Sequence, residues 1–516
     1  MIEPVIEPVF EPVIGQVIHH IAGRPPEPGH RISFTRLDGS RSLDLVDLYE
    51  AAGNLARELG GLGVGPGDRI GILAKNCLEW VLLDLAALRL KAVTAGFEPG
   101  KFEPGAELSR RYDLSILFTD RGTDGPALGA MPIDEVARLA DRPGDPPPPV
   151  RWRPEDETTI KFTSGSTGEP KGLATTVGSI DASLCAVQEM FEHGRDDDLF
   201  CFLPLSLLQQ RYWIYSALRF GHDVTVSTYE AALPALRRAR PTVVMGVPAF
   251  YETAKRHIES RAAREPGAVR NAARELFGDR IRYLWTGSAP ARPSMLRFFQ
   301  DAGMPIYEGY GLNEACIVAK NHPGAHRAGS VGQVLPGKKV MFDEDDVISI
   351  HSDHPVNRRY AYAPPGESER VFGDDGVVRT GDVGYLDEDG FLFIVGRADD
   401  VIVLDNGRKV IVRPIEERLK AGAAIEECVV FCPAQTHLVA VVSPASEPAE
   451  EAAIAEQVAR ANAALGPDEQ IRKVIVADRF SVEGGTLTSQ FKPRRRRIFE
   501  RYRSQINAPA RQEPAS

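Results

Sequence analysis

Between residues 42 and 90 the hydrophobic period of the sequence changes twice, and no fold built from a single type of element accommodates that. From 42 to 61 the apolar residues recur at helical spacing. Gly65-Pro66-Gly67-Asp68 then turns the chain into the short apolar run 69–74, a buried strand, and a second helix is expected over 78–90. The pattern returns with strand-like runs at 160–162, 242–247 and 281–285 separated by helical segments. Such alternation predicts an α/β fold with substantially parallel pairing. A chain of 516 residues exceeds one ordinary core, so at least two domains are expected.

The punctuation of the chain divides it further. Residues 143–149, Pro-Gly-Asp-Pro-Pro-Pro-Pro, read as an extended surface linker because consecutive prolines lack the amide donors that helices and central strands use. After Arg397 the texture shortens, with strands expected near 401–404, 428–432 and 438–443 and helices near 414–420 and 452–464. This predicts a large multi-sheet N-terminal α/β domain over 1–398 and a smaller α+β module over 399–516, jointed at Ala398-Asp399-Asp400. At the other end, residues 2–13 repeat a four-residue unit with proline at every fourth position, which forbids a helix and favours an extended arm.

Charge and cysteine usage narrow the functional class. The net charge of −11 lacks the basic footprint of a duplex nucleic-acid binder. Six scattered cysteines form no disulfide framework and no cluster with metal-ligand spacing; Cys428 and Cys432 fall in an apolar run and read as core. No lysine or arginine precedes Arg24, glutamates interrupt the first apolar stretch, and no run of 18 apolar residues follows. The expectation is a cytoplasmic protein without a transmembrane segment, with a small molecule or a protein as its partner.

The chemistry begins at the strand end 160–162, which leads into Thr163-Ser164-Gly165-Ser166-Thr167-Gly168-Glu169-Pro170-Lys171-Gly172. Glycines let a backbone fold tightly with its amides inward, hydroxyls add donors and Lys171 adds a cation, which together suit a polyphosphate. The order is not that of a Walker loop, which closes on Gly-Lys-Ser/Thr. Further along stand Gly287-Ser288-Ala289-Pro290, then Glu308-Gly309-Tyr310-Gly311-Leu312-Asn313-Glu314, then Thr380-Gly381-Asp382. Gly396-Arg397-Ala398-Asp399-Asp400 and residues 485–494, Gly-Thr-Leu-Thr-Ser-Gln-Phe-Lys-Pro-Arg, complete the series.

In content and order these segments resemble the motifs of the acyl-adenylate-forming superfamily, which includes acyl-CoA synthetases, luciferases and peptide-synthetase adenylation domains. The resemblance spans about residues 40–500, and the last motif is closest to the long-chain acyl-CoA synthetase branch. It implies a ligase that uses ATP and Mg²⁺ to activate a carboxylic acid as acyl-AMP, then transfers the acyl group to coenzyme A, with the C-terminal module as a mobile lid. Carried over, Thr163 to Gly168 and Lys171 wrap phosphate, while Gly287, Ser288, Ala289, Pro290 and Glu308 to Gly311 hold adenine, with Tyr310 against its face. Glu314 holds magnesium, Asp382 takes the ribose hydroxyls, Arg397 lies near ribose or phosphate, Asp399 is the hinge and Lys492 is the catalytic lysine. Asn313 departs from the usual threonine, and its amide can still donate to an α-phosphate oxygen.

The acid would sit where the family places its acyl pocket, at the start of a helix near 203–213. Leu207, Tyr212, Trp213 and Val247 imply an apolar pocket for a bulky hydrophobic acid, with Tyr212 and Trp213 equally readable as core. Between Asn406-Gly407 and Pro414 the chain is about two residues longer than the family pattern in the loop that faces coenzyme A. That departure leaves open an enzyme that stops at acyl-AMP and passes it to a carrier protein or a separate transferase. Arg494 to Arg497 read as a solvated helix start.

Overall fold

Runs of buried residues need cover on both faces, and the folded chain supplies it. The computed structural model describes residues 17–121, 130–164, 170–263, 268–289, 291–353, 357, 359–373, 376–406, 408–488 and 491–508. In it all five residues of Val93–Phe97 are buried, and Arg69–Leu73 and Glu157–Ser164 flank that strand in parallel. A strand covered on both sides has no solvent face to demand alternating polar residues. Among the described residues this sheet has seven strands, ending in the antiparallel pair Pro170–Thr176 and Tyr360–Tyr362.

A second sheet of nine strands has a parallel centre built from Arg31–Thr35, Asp223–Ser227, Asp198–Cys201, Val243–Gly246, Tyr283–Thr286 and Ile306–Leu312. One core joins the two sheets through the helices Leu45–Gly61, Leu78–Leu90, Val177–Phe191 and Leu208–Phe220, with Trp80, Trp213 and Trp285 fully buried in it. The helix expected from residue 42 begins at Leu45, since Ser40–Asp44 pairs antiparallel with Arg31–Thr35 as an edge strand. The 78–90 helix stands as expected and ends at Lys91, whose φ of 56° is left-handed.

One charge pair sits inside this core. Arg211 donates to Asp84 at 2.8 Å and to Thr159 at 2.7 Å, and the Tyr215 hydroxyl donates to the other Asp84 oxygen at 2.6 Å. The network fixes the helix Leu208–Phe220 against strands of the first sheet. It thereby sets where the first turn of that helix, with Tyr212, meets the cleft described below.

A four-stranded antiparallel sheet, Lys338–Phe342, Val347–Ser352, Val377–Leu386 and Leu392–Arg397, leads to the C-terminal part. Beyond it lies a three-stranded sheet, Ile425–Phe431, Leu438–Pro444 and Ile471–Val476, with a separate apolar core on each face. Cys428 is buried in the first of these strands and Cys432 follows its end; all six cysteines are free thiols. No helix among the described residues is long and apolar enough to cross a membrane. The N-terminal repeat lies outside the described residues.

Candidate functional site

A cleft of about 2190 Å³ opens where strand ends of the second sheet meet the four-stranded sheet and the C-terminal part, and Lys171, Glu314, Asp382, Arg397 and Lys492 all line it. Gly287, Ser288 and Ala289 leave the strand Tyr283–Thr286, and Glu308 to Gly311 belong to its parallel neighbour, with Thr286 opposite Glu308. The two segments meet where side chains would not fit. A Cβ on Gly287 would come 3.2 Å from the Gly309 carbonyl oxygen, and one on Gly311 would come 2.4 Å from that of Cys316. Ser288 takes a left-handed φ of 68° to make the turn. Glu308 accepts the Ala291 amide at 3.3 Å, and burial pushes its carboxyl up to about 7. Pro290 lies outside the described residues.

Asp382 stands on the strand Val377–Leu386 with both oxygens engaged: the Tyr310 hydroxyl donates at 2.5 Å and Arg397 at 3.1 Å. Burial first, then the Asp382 carboxylate, holds the Tyr310 phenol protonated well above its ordinary range. Arg397 also donates to the Thr380 carbonyl at 2.7 Å and to Asp399 at 3.0 Å, so one guanidinium ties residues 380–382 to the joint. Carboxylate oxygens carry about four acceptor sites between them, which leaves Asp382 capacity for further hydroxyl donors.

Thr163 and Ser164 end a strand whose partner brings Lys171 and Pro170 opposite them; Gly165, Ser166, Thr167 and Gly168 lie outside the described residues. Lys171 is buried in an ion pair with Glu367 and sits 5.2 Å from the centre of the Tyr360 ring, whose hydroxyl donates to Glu314 at 2.7 Å. Glu314 therefore presents a positioned carboxylate to the cleft. Among the described residues there is no cluster of three or more metal-ligating side chains. A single carboxylate fits a magnesium ion, which keeps several waters and takes its other ligands from phosphate, better than a metal that needs an all-protein cage.

The loop of Lys492 is a tight reversal. Thr488 donates to the Lys492 carbonyl at 2.8 Å, Phe491 donates back to the Thr488 carbonyl at 2.8 Å, and Phe491 adopts a left-handed φ of 59°. The Phe491 ring packs on Tyr229, and Lys492 enters the cleft beside Asp382, Arg397 and Arg413. Burial lowers its ammonium below the ordinary lysine value while Asp382 works against that fall. Asn313 lines the same cleft, its carbonyl accepting from Lys161 at 3.1 Å and Asn357 at 3.2 Å.

Of the four residues expected around the acid, Leu207 and Tyr212 line the cleft. Trp213 and Val247 do not: the indole is packed edge-on against Trp285 at 5.1 Å, and Val247 belongs to the core beneath the helix Pro248–Ala262. Helical geometry explains the split, since consecutive residues lie about 100° apart and only one of Tyr212 and Trp213 can face the cleft. Among the lining residues that escaped the sequence reading are Lys161, Tyr360 and Arg413. Lys161 carried a signal, being the one cation in the strand Glu157–Ser164.

Two other expectations need correction. The helix expected near 414–420 is Val412–Leu419, starting two residues before Pro414 because proline is tolerated in a first turn, and ahead of it Lys409–Ile411 pairs antiparallel with Val401–Val403. Gly407 lies outside the described residues. Arg495 is not solvated but pairs with Asp400 at 3.1 Å and Glu416 at 2.5 Å, whereas Arg496 and Arg497 are exposed.

Comparison with known proteins agrees with this arrangement. The family model described as AMP-binding enzyme matches residues 24–347, and that of the AMP-binding enzyme C-terminal domain matches 399–513. A long-chain-fatty-acid–CoA ligase of Mycobacterium tuberculosis is 28% identical, covering 90% of this chain and 92% of its own length. A 2-succinylbenzoate–CoA ligase of Bacillus pumilus is 25% identical over 74% of this chain and 78% of its own. Among solved structures, ATP-bound MatB from Rhodopseudomonas palustris superposes with a TM-score of 0.80 at 21% identity, covering 95% of this chain and 99% of the other. The o-succinylbenzoate CoA synthetase of Bacillus subtilis with its acyl-adenylate intermediate gives 0.73 at 20% identity, covering 91% and 95%. At these identities the structural matches establish the shared α/β fold.

Proposed function

The chain belongs to the AMP-binding enzyme family, and from that premise we propose that it converts a hydrophobic carboxylic acid and MgATP to acyl-AMP and pyrophosphate, then transfers the acyl group to coenzyme A. The observation that supports this reading is the convergence of Lys171, Glu314, Asp382, Arg397 and Lys492 on one cleft, four from the part before residue 398 and one from the part after it.

In this reading Tyr310 and the backbone of 287–289 and 308–311 hold the adenine, and Asp382 accepts from the ribose hydroxyls. Lys171 exchanges Glu367 for phosphate oxygens. Glu314 holds magnesium, which when bound offsets charge on the phosphates. The carboxylate oxygen of the acid attacks the α-phosphorus, the bond from that phosphorus to the bridging oxygen breaks, and pyrophosphate leaves with the electron pair. Negative charge gathers on the α-phosphoryl oxygens, and in this reading the Lys492 ammonium and the Asn313 amide stabilise it. The coenzyme A thiolate then attacks the acyl carbonyl and AMP departs.

We assign residues 1–398 to the body that holds ATP and acid, and 399–516 to a lid pivoting at Asp399, so that Lys492 withdraws before the thiol approaches. Leu207, Leu208, Tyr212 and Ile317 form the walls for the acid. The test is product analysis with a panel of fatty, aryl and polycyclic acids, with and without coenzyme A. Acid-dependent AMP and pyrophosphate, with thioester only when coenzyme A is present, supports the reading; ATP bound without acid-dependent pyrophosphate overturns it.

A further inference from the structure

We propose that Lys161 makes the acid end of the cleft selective for carboxylic acids bearing a second anionic group, a dicarboxylic acid being the simplest; this rests on the acyl-adenylate reading above. Strand alternation sets the side on which Lys161 lies. Its neighbour Phe162 stacks on Phe97 at 4.6 Å in an aromatic cluster, so Lys161 shares the opposite face with Thr159, which receives Arg211. There it lines the cleft with Leu207, Leu208, Tyr212, Cys316 and Ile317, only 5% exposed.

Among the described residues Lys161 has no carboxylate within ion-pair distance, Glu314 acting on it only from further away. An ammonium has three donors, and among the described residues the Lys161 ammonium donates to one acceptor, the Asn313 carbonyl, with no carboxylate in an ion pair. The other buried cations that line this cleft or its wall have carboxylates, Arg211 pairing with Asp84 and Lys171 with Glu367. Lys320 and Lys338, outside the cleft lining, satisfy their donors differently: Lys320 lies 3.7 Å from the centre of the Trp285 ring and Lys338 donates to the Ala315 carbonyl and the Ser352 hydroxyl. A buried cation without an anion is costly, and a ligand that brings the anion recovers that cost on binding. Of the other polar groups on this wall, the Cys316 thiol is held by the Ser179 hydroxyl at 3.2 Å and the Tyr212 hydroxyl meets Cys316 and Ser183.

Lys161 and Lys492 also occupy separate electrostatic neighbourhoods. The field at Lys492 comes from Asp382, Arg397 and Arg413, and that at Lys161 from Cys316, Glu314 and Arg211. In this proposal the reacting carboxylate lies under Lys492 and the second anionic group meets Lys161. Leu207, Leu208, Tyr212 and Ile317, which line the same cleft, take the carbon skeleton.

The experiment measures acid-dependent pyrophosphate release with α,ω-dicarboxylic acids of increasing length, aryl diacids, and the matched monocarboxylic acids ending in methyl or hydrogen. Wild-type protein should show a kcat/KM at least tenfold higher for one diacid than for its monoacid, with a single optimal length. Lys161→Met should collapse that ratio at least tenfold, whatever its absolute rate, and Lys161→Arg should restore part of it. No diacid preference at any length, or a ratio unchanged in Lys161→Met, overturns the assignment of Lys161 while monoacid turnover leaves the acyl-adenylate reading standing. If neither class of acid supports pyrophosphate release, both fall. Should Lys161→Met fail to fold, the wild-type length series decides alone.

Discussion

Phe491 and Tyr229 lie with their ring centres 4.8 Å apart and their planes at 31°, joining the loop of Lys492 to the chain just after the strand Asp223–Ser227. The backbone at Phe491 is left-handed, with φ at 59°, a conformation that non-glycine residues adopt at a cost unless their surroundings hold them there. The contact with Tyr229 and the backbone hydrogen bonds between Thr488 and residues 491–492 hold it there. Because Lys492 is the next residue, the aromatic pair sets the position of the ammonium in the cleft.

Removing that contact should loosen the lysine without touching the nucleotide. Aromatic pairs contribute about 0.5–1.5 kcal/mol beyond area burial, so Phe491→Ala should slow pyrophosphate release by roughly threefold to tenfold with ATP affinity unchanged. Single-turnover rates with saturating acid, together with calorimetry of ATP binding, check both halves.

Asp382→Ala should act on binding instead. Its oxygens would be engaged by ribose hydroxyls in ground state and transition state alike, and hydrogen bonds to a charged group contribute about 1.5–3 kcal/mol. ATP affinity should fall roughly tenfold to a hundredfold. Unchanged affinity by calorimetry would count against the ribose role.

The motifs of this cleft were legible because backbone chemistry writes itself into local sequence. Gly287 and Gly311 stand where a Cβ would collide with a neighbouring strand, and such positions survive as readable patterns. The side chains around the acid were less legible. Nothing local distinguishes Tyr212, which faces the cleft, from Trp213, which packs on Trp285; that choice is made by how Arg211 locks the helix onto Asp84. Lys161 was overlooked for a related reason, as its surroundings are assembled from Asn313 and Cys316, far along the chain. The strand Lys409–Ile411 was not legible because its pairing with Val401–Val403, rather than its own sequence, makes it a strand.

Stability should depend on pH through buried carboxyls. Burial raises Asp181 from 3.8 to about 7, although the Ile18 amide donates to one oxygen at 3.0 Å. An acid whose folded value is raised stabilises the fold most below its unfolded value, and that contribution is lost as pH rises through about 7. Asp181→Asn removes the titration, so its melting temperature relative to wild type should climb from pH 5 to pH 8, corresponding to on the order of 2–4 kcal/mol. A difference independent of pH would show that Asp181 ionises freely in the folded protein.

At the joint, Asp399→Pro should separate the two half-reactions, because proline fixes φ and restricts the backbone change that lid rotation requires. Thioester formation from supplied acyl-AMP and coenzyme A should fall much further than pyrophosphate release. Equal losses would point to damaged folding, and no loss in either would mean that the pivot lies elsewhere.

The acyl-adenylate account is tested most directly by acid-dependent exchange of labelled pyrophosphate into ATP, compared between wild type and Lys492→Ala. Removing a group that stabilises charge developing in the transition state typically lowers turnover by about a hundredfold to a thousandfold. Wild-type protein should exchange only when a suitable acid is present, and Lys492→Ala should lose at least about a hundredfold of that rate while binding ATP almost as tightly. Exchange at the wild-type rate in the variant, or exchange that does not depend on an acid, would contradict the account.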